Sequence, residues 1–213
     1  IRATFLTGEG KAFCAGQDLQ EVADPENSPT FKTILGEHYN PIIQRIRSIE
    51  KPIVCGVNGV AAGAGANIAL ACDVVVAAES ASFIQAFSKI GFTPDSGGTF
   101  FLPRLIGWQK ASALMMLGEK VPSAEAERLG MIYKVLPDEG FAEAAFALAK
   151  TLAEMPTKAL GLTKNALNQS LTNSLWEQLR VEDQFQTEAG GSQDYREGVN
   201  AFLEKRKPTF KGE

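Results

Sequence analysis

One aspartate sits where it could move protons. Asp95 lies in Pro94-Asp95-Ser96-Gly97-Gly98-Thr99, with Phe87, Phe92, Phe100 and Phe101 close to it in the chain. A carboxyl group held among apolar rings loses solvation in its charged form. That raises its pKa and suits it to proton transfer near neutral pH. The plain alternative is an N-cap for the helix that follows. A second stretch offers main chain instead of side chains. From Gly59 to Ala66 no side chain is larger than Val60, and Gly59, Gly63 and Gly65 punctuate the run. So bare a loop admits close approach by a ligand or another backbone, and N–H groups at the next helix start can meet negative charge. It reads as an anion or oxyanion site, or as a tight helix–strand contact. A third small-residue stretch, Ala12 to Leu19, carries the loop polars Gln17 and Asp18, and Asp18 can act as a cap.

Other chemistries fit less well. Strand, glycine-rich turn and helix, with Glu79 some way on, suggest a dinucleotide-binding unit. Gly63-Ala64-Gly65 would then need a small residue at 68, which is Ile68, and the helix from Ala64 to Cys72 is short for the purpose. His38 is the sole histidine, so a Ser-His-Asp arrangement is not readable and His38 counts as an ordinary helix residue. Lys205, Arg206 and Lys207 form a solvated helix end or a phosphate contact.

The elements that must position these groups centre on Ile53–Ala78. Apolar runs at Ile53–Val57 and Val74–Ala78 flank a small-residue segment, the pattern of two buried strands around a buried helix. Upstream, Ala3–Leu6 reads as a strand and Asp24–Pro29 as a polar, mobile loop. Phe31, Ile34, Leu35, Ile42, Ile43, Ile46 and Ile49 recur at helical spacing, with Pro41 kinking that helix or starting its second half. Downstream, helices are expected at 108–117 and 123–129, with Ser123 as N-cap and Gly130 as C-cap, then a strand at 132–136. Residues 141–155, 157–172, 174–189 and 193–206 read as helices. The layout is an α/β core over 1–137 and a helical region over 138–213. The chain opens without Met and already in a strand-like run, so a missing N-terminal portion is expected.

The totals narrow the class. The 213 residues are 45 % apolar and 22 % charged, as in a soluble globular protein. A net charge of −4 argues against nucleic-acid binding, and no apolar run is long enough to span a bilayer. Cys14, Cys55 and Cys72 are odd in number and scattered, which fits free thiols in a reducing, cytoplasmic setting. With one histidine and no close Cys pair, no metal site is expected.

Four motifs together resemble the crotonase (enoyl-CoA hydratase/isomerase) superfamily. They are Lys11-Ala12-Phe13-Cys14-Ala15-Gly16-Gln17-Asp18-Leu19, Val57–Gly65 with Asp73, Pro94–Thr99 with Leu102-Pro103-Arg104, and the tail Tyr195–Pro208. The resemblance spans the chain. It implies a spiral of ββα units with a C-terminal α-helical trimerisation region, a homotrimer or dimer of trimers, and first strands of the family that precede residue 1. It implies an acyl-CoA substrate and no other cofactor. The thioester oxygen would sit on the backbone N–H groups of Gln17 and Ala64, or of Gly65 beside it. Coenzyme A is expected against Lys11, Cys14, Ala15 and Asp18, with Phe202 and Lys205 reaching it from a neighbouring subunit. Tyr39, Asn67 and Phe87 are expected in the acyl pocket, along with Phe31 and the Pro25–Pro29 loop.

The departures narrow the reaction. Hydratases of the family carry glutamates where this chain has Asn67 and Phe87. That leaves Asp95, where family isomerases place their carboxylate. Pro94–Thr99 together with Cys14–Leu19 and Ala86–Lys89 is similar to the branch that turns ring-1,2-epoxyphenylacetyl-CoA into oxepin-CoA. The alternatives are a Δ3,Δ2-enoyl-CoA isomerase and a non-catalytic acyl-CoA binder.

Overall fold

The structure, a computed structural model, describes every residue from Ile1 to Glu213 except Pro25 and Asn27. Those two positions of the expected mobile loop, and of the expected pocket wall, lie outside the described residues. The chain lays its strands into two sheets, alternating between them through the first six. β1 (Thr4–Thr7), β3 (Ile53–Val57), β5 (Val74–Ala78) and β8 (Lys134–Leu136) stand in the order β1-β3-β5-β8. β2 (Ala12–Cys14), β4 (Val60–Ala62), β6 (Ser82–Ile84) and β7 (Lys120–Pro122) form the second sheet in that order. Both sheets are parallel in the pairs β3–β5, β5–β8, β2–β4 and β4–β6, and β6–β7 is antiparallel. This mixed α/β architecture, with helices gathered at the C-terminal end, is the one expected from the sequence. Every residue of β3 is buried, which is why Ile53–Val57 shows no polar alternation.

The chain packs as two compact units. One comprises Phe5–Ile46 and Val54–Phe146 and holds the sheets. Its helices begin with α1 (Phe31–Thr33), N-capped by Thr30, whose hydroxyl accepts from the Thr33 N–H. Residues Ile34–Tyr39 then continue as a π-helical turn, and α2 (Asn40–Ser48) follows. The expected kink at Pro41 takes this form. In an α-helix the proline ring would press on the Glu37 carbonyl four residues back. The wider turn instead sends the Asn40 N–H to Leu35, five back. α3 (Ala64–Leu70), α4 (Gly98–Ile106), α5 (Trp108–Leu117) and α6 (Ser123–Arg128) complete the unit.

Ser123 is not the expected N-cap of α6. It is the first helical residue, preceded by Pro122, and its hydroxyl donates instead to the Glu79 carbonyl at 2.7 Å. Gly130 does take the left-handed conformation just past the helix end (φ 76°). The thiols of Cys55 and Cys72 are buried, and Cys14 is half-buried. Burial pushes the Cys55 thiol well above its ordinary pKa, with Cys72 alongside adding to the shift.

The other unit comprises Ile1–Thr4, Arg47–Ile53 and Ala147–Glu213. Most of α7 (Phe141–Glu154), then α8 (Thr157–Ser170), α9 (Leu175–Gly190) and α10 (Gln193–Leu203), lie in it. Asn168 and Arg47 exchange hydrogen bonds, at 2.6 Å to the Asn168 Oδ1 and 3.0 Å to the Arg47 carbonyl. Arg2 donates to Thr157 Oγ1 at 2.9 Å and to the Phe210 carbonyl at 2.7 Å. The buried Asp194 carboxylate accepts from the Lys211 and Gly212 N–H groups, both at 2.7 Å, and ties the tail to α10. Ser174 and Glu177 close a capping box on α9. Trp176 and Phe202 are among the large apolar side chains this unit leaves exposed. Among the described residues no helix is long and apolar enough to cross a membrane.

Candidate active site

A cavity of 490 Å³ opens within the α/β unit, and three of its walls come from the stretches the sequence singled out. Gly16 and Gln17 from the loop after β2, Gly63 and Ala64 at the start of α3, and Asp95 from the loop before α4 all line it. The remaining wall is largely apolar, with Asn40 and Lys89 also on it. Phe31, Ile34, Leu35 and Tyr39 come from the α1–α2 segment, and Phe87 from the 3₁₀ turn Ala86–Ile90.

The main-chain part is built by glycines. Gly16 has φ 87°, and a Cβ there would lie 3.2 Å from the Ala62 carbonyl and 3.3 Å from the Ala64 nitrogen. Gly63 has φ 54° and sends its N–H to the Ile84 carbonyl at 2.9 Å, which turns the chain into α3. The backbone before Gln17 thus crosses directly over the first residue of α3. Among the described residues, neither the Gln17 nor the Ala64 N–H finds a protein acceptor. The Gln17 side chain turns aside to Glu21, at 2.7 Å.

Asp95 does not cap α4. The N-cap is Gly97, and the Asp95 carboxylate accepts from the Ser96 hydroxyl at 2.8 Å. Burial raises its pKa, partly offset by that hydroxyl. The turn behind it is strained: Ser96 has φ 49° and Gly97 φ 75°. A non-glycine residue in the left-handed region costs of order 1–3 kcal/mol and persists where its surroundings fix it. Here the Asp95 carbonyl accepts both the Gly98 N–H and the Asn67 Nδ2, each at 2.9 Å. Tyr39 keeps its phenol protonated across the neutral range. Burial raises its pKa first, and the charges of Cys14, Asp95 and Glu21 add to it.

The expected site residues therefore divide. Ala15, Gln17, Tyr39, Ala64, Phe87 and Asp95 line one cavity. Asn67 was expected on the acyl wall but lies fully buried behind it, gripping the Asp95 backbone. Gly65 is also buried, because a Cβ there would sit 2.2 Å from the Cys14 carbonyl oxygen. Cys14, Lys11 and Asp18 are not on the cavity wall. Asp18 caps the 3₁₀ turn Leu19–Val22 through the Gln20 N–H at 2.9 Å. Phe202 and Lys205 belong to the helical unit, where Phe202 is 82 % exposed and Lys205 has φ 55°. Gln85 escapes a sequence reading, although a long polar side chain between the apolar Phe83–Ile84 and Ala86–Phe87 pairs is a signal of a buried hydrogen-bonding role.

Two interleaved sheets hold a cavity in which bare main chain faces a half-buried carboxylate. The family model for enoyl-CoA hydratase/isomerase matches residues 1–213, and the chain belongs to that family. It is an enzyme of the crotonase superfamily with acyl-CoA as its substrate class. The chain is 49 % identical to the 1,2-epoxyphenylacetyl-CoA isomerase of Escherichia coli K12, over 100 % of this chain and 82 % of that protein. It is 48 % identical to a Rhodobacter capsulatus protein named "Probable enoyl-CoA hydratase", over 99 % and 81 %. The crystal structure of an enoyl-CoA hydratase from Polaromonas sp. JS666 superposes with a TM-score of 0.91 at 35 % identity, over 99 % of this chain and 82 % of that one.

Proposed function

We propose that the protein is an acyl-CoA isomerase and that ring-1,2-epoxyphenylacetyl-CoA, converted to oxepin-CoA, is its substrate. The observation that carries the reading is that Asp95 is the sole carboxylate among the described residues lining the cavity. Addition of water in this family draws on two glutamates, and their positions hold Asn67 and Phe87. An isomerase needs one group that removes a proton and returns it elsewhere on the same substrate. The likeness to the E. coli isomerase supports the choice of acyl group.

The thioester oxygen binds between the Gln17 and Ala64 N–H groups. As the neighbouring C–H bond ionises, negative charge moves onto that oxygen, and fixed donors stabilise it by about 3 kcal/mol each. Asp95, with its pKa raised by burial, takes the proton. It delivers a proton further along the conjugated system, and in the epoxide the electron flow opens the bicycle to the seven-membered ring. The Lys11–Asp18 segment holds coenzyme A, with Phe202 and Lys205 contributing from a neighbouring copy in a homotrimer. The exposed apolar surface at Trp176 and Phe202 supports such an assembly. A Δ3,Δ2 shift of an enoyl-CoA double bond would use the same groups. Mass-spectrometric turnover of epoxyphenylacetyl-CoA and of 3-hexenoyl-CoA decides between the two. Hydration of 2-enoyl-CoA at a comparable rate would overturn the isomerase reading.

A further inference from the structure

We propose that Asn67 and Gln85 are positioning residues, a buried amide relay that holds the backbone of Asp95 at a fixed place relative to the start of α3. The inference rests on the reading of Asp95 as the proton-transfer group. Gln85 Nε2 donates to Asn67 Oδ1 at 2.7 Å, and Asn67 Nδ2 donates to the Asp95 carbonyl at 2.9 Å. Asn67 is fully buried and Gln85 is 2 % exposed, so no water competes for these bonds. The direction is set by chemistry. A carbonyl only accepts, so the Asn67 nitrogen must face Asp95, its oxygen must face Gln85, and Gln85 must present its nitrogen. That leaves the Gln85 Oε1 buried with no hydrogen-bond partner among the described residues. A buried acceptor left unpaired is a cost that packing alone would remove by placing an apolar side chain there. The relay is retained against that cost.

Its geometry shows what it does. Asn67 is one turn after Ala64 on α3, so the short helix that presents an oxyanion donor at its first residue also grips the proton-transfer loop. Gln85 is the residue before the 3₁₀ turn that carries Phe87 into the cavity. Three walls of the site are thereby fastened to each other through two carboxamides. The grip falls on the carbonyl directly before the strained Ser96. It leaves the Asp95 carboxylate to face the cavity with Ser96 as its only side-chain partner among the described residues. Asn67 also fills the space that a side chain at position 98 would need, since a Cβ on Gly98 would come 2.4 Å from its Nδ2.

The test uses Asn67→Ala, Gln85→Leu and the double variant in the full chain, with two independent readouts. The first is kcat and KM for the acyl-CoA that the parent enzyme isomerises. Misplacement of the carboxylate by a fraction of an ångström should lower kcat about 10- to 100-fold in Asn67→Ala, with KM within about threefold of the parent. Gln85→Leu should fall about three- to tenfold, and the double variant no further than Asn67→Ala, because both act through one carbonyl. The second readout needs no turnover. Amide hydrogen exchange at Ser96–Gly98 should speed at least about tenfold while exchange in α5 stays at the parent rate. If the parent turns over neither substrate, the isomerase reading fails and the exchange measurement still judges the relay. If Asn67→Ala does not fold, Gln85→Leu carries both readouts. Parent-like kcat with parent-like exchange in a folded variant, or losses that add in the double variant, would overturn the proposal.

Discussion

Gly65 of α3 lies so close to Cys14 of β2 that a Cβ on it would stand 2.2 Å from the Cys14 carbonyl oxygen and 2.7 Å from the Cys14 Cβ. The loop that carries Gln17 and the helix that starts at Ala64 are held together at this contact, three residues before Gln17 and one after Ala64. Gly65→Ala should therefore destabilise the α/β unit by on the order of 3 kcal/mol or more, because both opposing groups belong to the main chain or its first carbon. Urea denaturation, or loss of soluble protein, reads it. Gly16→Ala is the milder companion. Its Cβ would meet the Ala64 nitrogen at 3.3 Å in a left-handed backbone. The expected result is a folded protein whose kcat is lower by about 10- to 100-fold, and a parent-like kcat would separate that nitrogen from the chemistry.

Asp95→Asn should abolish exchange of the substrate α-proton with solvent and lower kcat by about 10²–10⁴-fold. Retained exchange would remove Asp95 from its assigned role. In the parent enzyme, kcat/KM should rise with pH through a value above the ordinary carboxylate pKa, since the base must be ionised and burial has raised its pKa.

The same shift has a stability sign opposite to that of a salt-bridged carboxylate. Native Asp95 binds a proton more tightly than the unfolded chain does. Its contribution to stability thus declines as pH rises from the unfolded pKa through the native one. Asp95→Asn should be more stable than the parent at neutral pH, and the two should converge below the ordinary aspartate pKa. Thermal denaturation across pH 3–8 checks this, and a variant less stable than the parent at pH 7 contradicts it.

Phe87 closes the cavity where Gly63 turns into α3, with its ring 3.6 Å from the space a Gly63 Cβ would occupy. Phe87→Ala should shift preference toward bulkier acyl groups and cost the parent substrate about 1–3 kcal/mol in kcat/KM. Competition between acyl-CoAs of different bulk measures it.

In the helical unit, Asp194→Ala removes the acceptor of the Lys211 and Gly212 N–H groups. Two part-buried donors would lose their partner, for a loss of about 1–3 kcal/mol. Limited proteolysis should then cut within residues 208–212 first.

Much of the fold was legible because its apolar runs are long or strongly periodic. Trp108–Leu117 and Phe141–Glu154 stand within a residue of their expected bounds, and Ile53–Val57 and Val74–Ala78 pair as neighbouring strands. Val60–Ala62 and Lys120–Pro122 were not legible as strands. Three residues cannot show a period of two, and only the second sheet, once assembled, makes them strands. Asp95 stood out by residue type among apolar neighbours and the bare Gly59–Ala66 stretch as a main-chain anion site, whereas Gln17 and Ala64 were singled out only by the resemblance. Asn67 was misplaced because sequence gives a helix its period but not its phase. In a seven-residue helix buried on nearly every side, no polar face marks which way a side chain points.

The paired burial of Cys55 and Cys72 makes these thiols a clock for opening of the sheets. A neutral reagent can alkylate them only when β3 parts from its surroundings, so their labelling rate counts openings of the core. Cys14, half-buried beside the cavity, should label faster and respond to acyl-CoA. The labelling of one chain then separates occupancy of the site from cohesion of the fold behind it.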